Sequence, residues 1–173
     1  TASFPEHLRF FQYLAIASKV DQCIAEANSA IEAGHCCVIG LQSTGEASAK
    51  RAAAAAGVGE EGKELFEAFV SAPGEGLKNV IRSIIPEEEV QPWLNAVDEL
   101  QLPPGHLDRL LNELGGPSKV AELTGRTRRQ VQFYDSNQGK LMVRYEKRKA
   151  DNIQEKNAFQ SGEKLIAVSR CQS

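Results

Sequence analysis

Two groups of residues in this chain have the types and spacing for ligand chemistry. The first is Ser43, Thr44, Gly45 and Glu46, which directly follow the apolar run Cys36-Cys37-Val38-Ile39-Gly40-Leu41. Hydroxyls and a glycine where a strand passes into a helix leave free backbone N–H groups that can hold a phosphate. Ser43 with Glu46 three residues on is also a capping box, in which the hydroxyl takes an N–H of the helix start and the carboxylate reaches back. The second group is Arg126, Arg128 and Arg129. They open a stretch from 126 to 149 that holds eight basic and two acidic residues. Such a block can follow a phosphate backbone, or it can be a solvated face.

Other constellations are missing or misleading. His7, His35 and His106 stand apart, and no pair of residues has the spacing of a general acid and base or of an activated nucleophile, so no catalytic residue is assigned. Cys23, Cys36, Cys37 and Cys171 form no Cys-x-x-Cys pair and have no histidine at ligand spacing, so no metal site is expected. They read as reduced, mostly buried thiols of an intracellular protein. Gly57-x-Gly59-x-x-Gly62 and Gly57-x4-Gly62-Lys63 imitate a dinucleotide fingerprint and a P-loop. Both motifs need a preceding strand, and an alanine helix stands there instead.

The elements that would position these groups alternate between helix and strand. Glu6 to Ala33 reads as a helix, half buried over Leu8 to Ala17, with Val20, Ile24, Ala27 and Ile31 on one face and Gly34 at its end. Cys36 to Leu41 suits a strand buried on both faces. An Ala-rich helix from 46 to 56 follows. Residues 57–101 form an acidic helical insert, with amphipathic helical stretches at Leu65–Val70 and Leu77–Ile85, punctuated by Pro73, Pro86 and Pro92. From 60 to 113 there are 12 acidic and four basic residues.

From residue 102 the pattern is a helical pair, a basic hairpin and a return to the sheet. Leu107, Leu110, Leu111 and Leu114 form a helix face that stops at Gly115-Gly116. Pro117 is expected to open a second helix through Val120, Ala121 and Leu123. Ala121, Gly125 and Val131 fit the Ala-x3-Gly-x5-Val spacing of a helix-turn-helix, with Arg126, Arg128 and Arg129 where such motifs touch DNA. Strands at 130–134 and 140–146 around the turn Asp135–Gly139 would then be a wing, making residues 107–145 a winged-helix-like DNA-binding module. A short helix from Asn152 closes at Gly162 and feeds a second buried strand, Leu165–Ser169. Helix, glycine and apolar strand at both ends of the chain predict an α/β fold with parallel strands near 36–41 and 164–169.

At 173 residues, 42% apolar and 25% charged, with net charge −3, the composition is that of an ordinary globular domain. No apolar run approaches the ~18 residues of a membrane span. The chain starts at Thr1, not an initiator Met, so excision or processing from a longer chain is expected.

Several blocks resemble one family. Arg9-Phe-Phe-x-Tyr-Leu-x-Ile-Ala-Ser-Lys-Val20, Cys37-Val-Ile-Gly-Leu-Gln-Ser-Thr-Gly-Glu-Ala47, Leu102-Pro-Pro-x-x-Leu-Asp108, Leu114-Gly-Gly-Pro117, Val120-Ala-Glu-Leu-Thr-Gly-Arg126, and Glu155-Lys through Ile166-Ala167 are similar to the strawberry notch family of helicase-like regulators. Phe159 and Gly162, leading into a strand that ends at Ser169, resemble the approach to motif V of superfamily 2 helicases. The resemblance implies a partial second RecA-like lobe that begins with residues 1–56, is interrupted by 57–101 and resumes at 102–173. It implies a nuclear protein of transcription and chromatin, with nucleic acid, the missing helicase lobe and transcription or chromatin proteins as partners, and no membrane. The Walker A and B residues of a first lobe and the arginine-bearing motif VI are not in these 173 residues. No cofactor is therefore expected in this chain, while ATP and Mg²⁺ are implied for a complete parent. Contacts to nucleic acid would fall to Ser43, Thr44 and Gly45 and to the block at Arg126, Arg128 and Arg129.

Overall fold

The computed structural model describes residues 4–46, 50, 54, 65–66, 71–100, 102–148 and 151–171. Helix α1 spans Phe4–Glu32 and strand β1 Cys37–Leu41. The two-residue β2, Leu65–Phe66, precedes α2 (Ala72–Ile84), α3 (Val90–Glu99) and α4 (His106–Glu113). Strands β3 (Val120–Leu123), β4 (Arg128–Asp135) and β5 (Lys140–Lys147) come next, then α5 (Asn152–Gln160) and β6 (Ile166–Arg170). Among these residues no helix is long and apolar enough to cross a membrane.

One sheet is parallel, in the order β1-β6-β3, so the two strands expected to pair do pair, with Cys37 opposite Ile166 and Leu41 opposite Arg170. The central strand β6 buries Ile166, Ala167 and Val168. β1 lies at the edge and buries only Ile39 and Leu41, while Val38 is 62% exposed. This corrects the expectation of a strand buried on both faces: only one face of β1 meets α1. On that face Val20 and Ala27 are buried and Ile24 and Ile31 are packed against the core, as the helical spacing requires. Over Leu8 to Ala17, Leu8, Phe11 and Leu14 are at least half exposed, while Tyr13, Ile16 and Ala17 are half-buried. A helix of 29 residues runs roughly 44 Å, whereas a five-residue strand covers about 17 Å. Its first turns thus overhang the sheet.

The main correction concerns residues 117–135. Val120–Leu123 is not a helix but a strand, bonded in parallel to β6 from Val120 opposite Ile166 to Leu123 opposite Ser169. Gly115 and Gly116, at φ +101° and +78°, turn the chain out of α4 in a conformation L side chains rarely adopt. Val120-Ala121-Glu122-Leu123 is an apolar run with one carboxylate, and β6 supplies it with a parallel partner. Arg128 and Arg129, which the helix-turn-helix spacing would place against DNA, instead open β4. The helix-turn-helix is therefore absent, and with it the winged-helix-like module at 107–145. The hairpin itself stands, with β4 and β5 antiparallel and Asp135 opposite Lys140.

In the acidic insert, α2 covers the helical stretch expected at Leu77–Ile85, and α3 is a further helix across Pro92. Ser71 caps α2 by accepting the Gly74 N–H at 3.1 Å, with Pro73 in the first turn. Leu65–Phe66, expected to be helical, instead pairs with the outer edge of β5, opposite Arg144 and Val143. Pairing covers backbone groups that an edge strand leaves open. Glu46, Lys50 and Ala54 are helical. The glycine loop at 57–62 lies outside the described residues. The cysteines are free but not mostly buried: Cys36 and Cys171 are exposed, and Cys23 and Cys37 are intermediate. Burial raises the Cys23 and Cys37 thiols above the ordinary range, helped by each one's neighbouring thiol.

Candidate nucleic-acid interface at the carboxyl edge of the sheet

Strand register decides which loops meet. Ser169 of β6 lies opposite both Gly40 of β1 and Leu123 of β3, so all three strands end level. The loop from Gln42, the loop from Thr124 and the end of β6 thus open on one carboxyl edge, where ligands of parallel sheets bind. There the Cys171 N–H donates to the Leu41 carbonyl at 2.8 Å.

The first loop is held from three sides. The Ser43 hydroxyl accepts the Gly45 N–H at 3.2 Å, and the Ser43 carbonyl bonds His106 Nε2 at 2.6 Å. Gly45 has φ +68°, and a Cβ there would sit 3.3 Å from the Tyr13 ring and 3.5 Å from His106 Cε1. Glu46 does not reach back as the capping box would have it. Its Oε1 accepts the Thr127 N–H at 2.8 Å, tying this loop to the start of β4. Half-buried Ser43 and Thr44 therefore stand beside Thr127 and Arg128 as one surface, with Gly45 buried beneath it.

The three arginines divide. Arg126 is 4% exposed; its Nε donates to Glu122 Oε1 at 2.5 Å, and its Nη1 to Asp108 Oδ1. Arg129 is buried too, with Nη2 3.0 Å from Glu146 and Nη1 3.8 Å from Glu122. Arg128 lies half-buried over the Tyr145 ring, 5.7 Å from its centroid. Of the three, Arg128 is the one on the surface of the edge, and the other two sit beneath it.

The sequence reading missed the buried network that holds this edge. Glu122, fully buried on β3, also accepts from the Thr124 hydroxyl at 2.6 Å. Arg148 donates to the carbonyls of Glu122, Thr124 and Arg126. Glu155 of α5 accepts the Glu122 N–H at 3.2 Å and the Lys164 ammonium at 2.7 Å. Burial pushes the Glu122 carboxyl up, but Arg126, Thr124 and Arg148 outweigh it and leave it below the ordinary range. One sign was legible: Glu122 stands inside an apolar run, and a buried carboxylate needs a cation. Beside the network a cleft of about 270 Å³ is lined by residues including Thr124, Gly125, Thr127, Lys147, Arg148 and Asn152.

His106 gives this edge a pH dependence. Burial lowers the imidazole below its ordinary 6.5, with Arg126 acting the same way and the Ser43 carbonyl and Asp108 acting against it. The unfolded chain then binds more protons just below 6.5, so this contribution to stability is complete above that value and is lost as pH falls toward the folded pKa. We expect the urea midpoint to drop between about pH 7.5 and about pH 5.5, and His106→Phe to flatten that change. Equal slopes in both proteins would rule out His106 as the source.

Residues 105–172, covering α4 through β6, match the family model described as the C-terminal domain on Strawberry notch homologue. The chain is thus similar to strawberry notch proteins over its last two-fifths. Rat strawberry notch homolog 1 is 28% identical over 264 residues, covering 94% of this chain and 20% of that protein. That aligned length exceeds 173 residues, so the rat protein carries residues within it that this chain lacks. Drosophila melanogaster strawberry notch is 44% identical over 75 residues, 39% of this chain and 4% of the relative. Human strawberry notch homolog 1 is 46% identical over 79 residues, 46% of this chain and 5% of the relative. The chain spans a fifth or less of the length of these relatives. No solved structure matches it. Within the matched residues, Val120–Arg126 is β3 with the buried Glu122–Arg126 pair, and the parallel three-stranded sheet with its helices is consistent with a partial RecA-like helicase C-terminal lobe.

Proposed function

We propose that this chain acts as part of the second lobe of a strawberry-notch-like nuclear regulator of transcription and chromatin, contacting the backbone of nucleic acid along the carboxyl edge of its parallel sheet. The observation that carries this reading is the Glu46–Thr127 tie, which joins the Ser43-Thr44-Gly45 loop to Arg128 as one polar surface. The Ser43 and Thr44 hydroxyls position a phosphate, and Arg128 supplies charge. Arg126 and Arg129 serve this surface indirectly, by fixing the strands under it.

By itself the chain does not hydrolyse ATP in this reading. Phosphoryl transfer needs cations and a Mg²⁺ site poised on the phosphates. At this edge Arg126 and Arg129 are committed to carboxylates, and no three His, Cys, Asp or Glu side chains among the described residues converge as a metal site. The residues present do not fit a complete ATP and Mg²⁺ site, so those groups belong to a complete parent with its other lobe.

Binding of a fluorescein-labelled single-stranded oligonucleotide, followed by anisotropy across a salt series, tests the contact. A slope of about −0.7 per neutralised phosphate in log K against log salt is expected, and Arg128→Gln should reduce it by about one such increment. A flat salt series, or an unchanged slope in Arg128→Gln, would count against it.

A further inference from the structure

The acidic insert takes no part in the surface proposed above, yet it turns an apolar face to solvent. On α3, Trp93, Ala96 and Leu100 stand at i, i+3 and i+7, and Leu100, just past the last turn, keeps helical angles of φ −65° and ψ −16°. The three therefore share one side of the helix over two turns, roughly 10 Å. All are exposed, Trp93 at 55% and Leu100 at 61%. The buried residues of α3 are Leu94 and Val97, so the outer stripe is not what packs the helix. A single exposed apolar residue needs no explanation. A tryptophan and a leucine together on one helix face are the kind of patch that marks a protein contact.

Charge says what covers it. Glu87, Glu88 and Glu89 precede the stripe and Glu99 lies at its far end, all exposed. From Ser83 to Gly105 the sequence has no Lys, Arg or His. Among the described residues no cation pairs with these four glutamates, whereas Asp98 is bonded to Lys78 of α2 at 2.6 Å. The first three suit the positive end of the helix dipole, but Glu99, in the last turn, works against it. The stability of α3 thus does not account for acid at both ends. Such a rim repels a phosphate backbone and attracts Lys and Arg. We infer that this face of α3 docks a basic amphipathic helix of a partner protein. The partner's large apolar residues, spaced as one helix face, cover Trp93 and Leu100, and its Lys or Arg side chains meet the glutamates at either end. This surface is separate from the carboxyl edge, and neither reading rests on the other.

Trp93 is the sole tryptophan of the chain, so its fluorescence reports the contact. The probe is the peptide KKLAQLLAQLKK; EELAQLLAQLEE keeps its apolar face and reverses the charge. The basic peptide should shift the Trp93 emission to the blue saturably, and by anisotropy of its fluorescein-labelled form should bind at least roughly tenfold tighter than the acidic one. Trp93→Gln should weaken it by roughly tenfold with the thermal midpoint unchanged. The triple variant Glu87→Gln, Glu88→Gln, Glu89→Gln should weaken it similarly and remove most of its salt dependence. Leu141→Gln, at an exposed leucine of the hairpin, should leave binding unchanged. Equal binding of the two peptides, no saturable blue shift, or unchanged affinity in Trp93→Gln or in the triple variant would overturn the proposal. So would a blue shift brought about by raising the concentration of the chain alone, which would make the occupant a second copy.

Discussion

Replacing Arg126 by methionine is expected to cost about 3–5 kcal/mol of stability, a large part of the ~5–15 kcal/mol that holds a domain of this size together. The side chain is 3% exposed, and its partners Asp108 and Glu122 are 2% and 0% exposed. Removing the guanidinium leaves two carboxylates buried without their main cation, in a place where neither can be hydrated. Lysine should not rescue: one ammonium cannot make the Nε and Nη2 contacts to Glu122 together with the Nη1 contact to Asp108. The same network sets the acid limit. The Glu122 carboxyl is held below its ordinary 4.5, so its contribution is present above that value and is lost as pH falls through the folded pKa. Urea unfolding followed by circular dichroism at neutral pH measures the loss. A surface arginine would change the stability by no more than about 0.5 kcal/mol, and that result would put Arg126 back on the exterior.

Leu111→Ala should rank beside it, at about 2–5 kcal/mol. Leu111 is 1% exposed and shares the core with Val20, Ile39, Val120 and Val168, so α4 packs α1 and the sheet together. The next residue, Asn112, donates to the Gln130 carbonyl at 2.8 Å and accepts the Gln132 N–H at 2.7 Å, bonding the free edge of β4. Collapse around an alanine would therefore disturb the hairpin as well as the core. Leu141→Ala, 54% exposed on β5, is the control and should leave the urea midpoint nearly unchanged. Equal losses in the two variants would contradict the central place given to α4.

How legible these features are in the sequence depends on how local their causes are. The α4 face, Leu107 to Leu114, and the later part of α1 appear in residue spacing, because one turn of helix sets both. The apolar runs of β1 and β6 and the turn between β4 and β5 are legible for the same reason. Val120-Ala121-Glu122-Leu123 is not: its spacing suits a helix or a buried strand, and only β6, more than 40 residues on, decides between them. Leu65–Phe66 likewise becomes a strand because β5 offers an edge. The Ser43–Gly45 turn is legible as a loop, because two hydroxyl residues and a glycine follow the apolar run of β1. The inward turn of Arg126 and Arg129 is marked locally only by Glu122, four residues before Arg126; Asp108 and Glu146 come from separate elements. Charge counted along the chain overstated the basic surface for that reason.

The central claim is that one edge of the parallel sheet carries the nucleic-acid contact. Amide chemical-shift mapping of the ¹⁵N-labelled chain during titration with a short single-stranded oligonucleotide tests it most directly. The account predicts that the largest shifts fall on Ser43, Thr44, Gly45, Thr127 and Arg128. Shifts confined to the hairpin tip at Asp135–Lys140, or to α2 and α3, would place the contact elsewhere and contradict it.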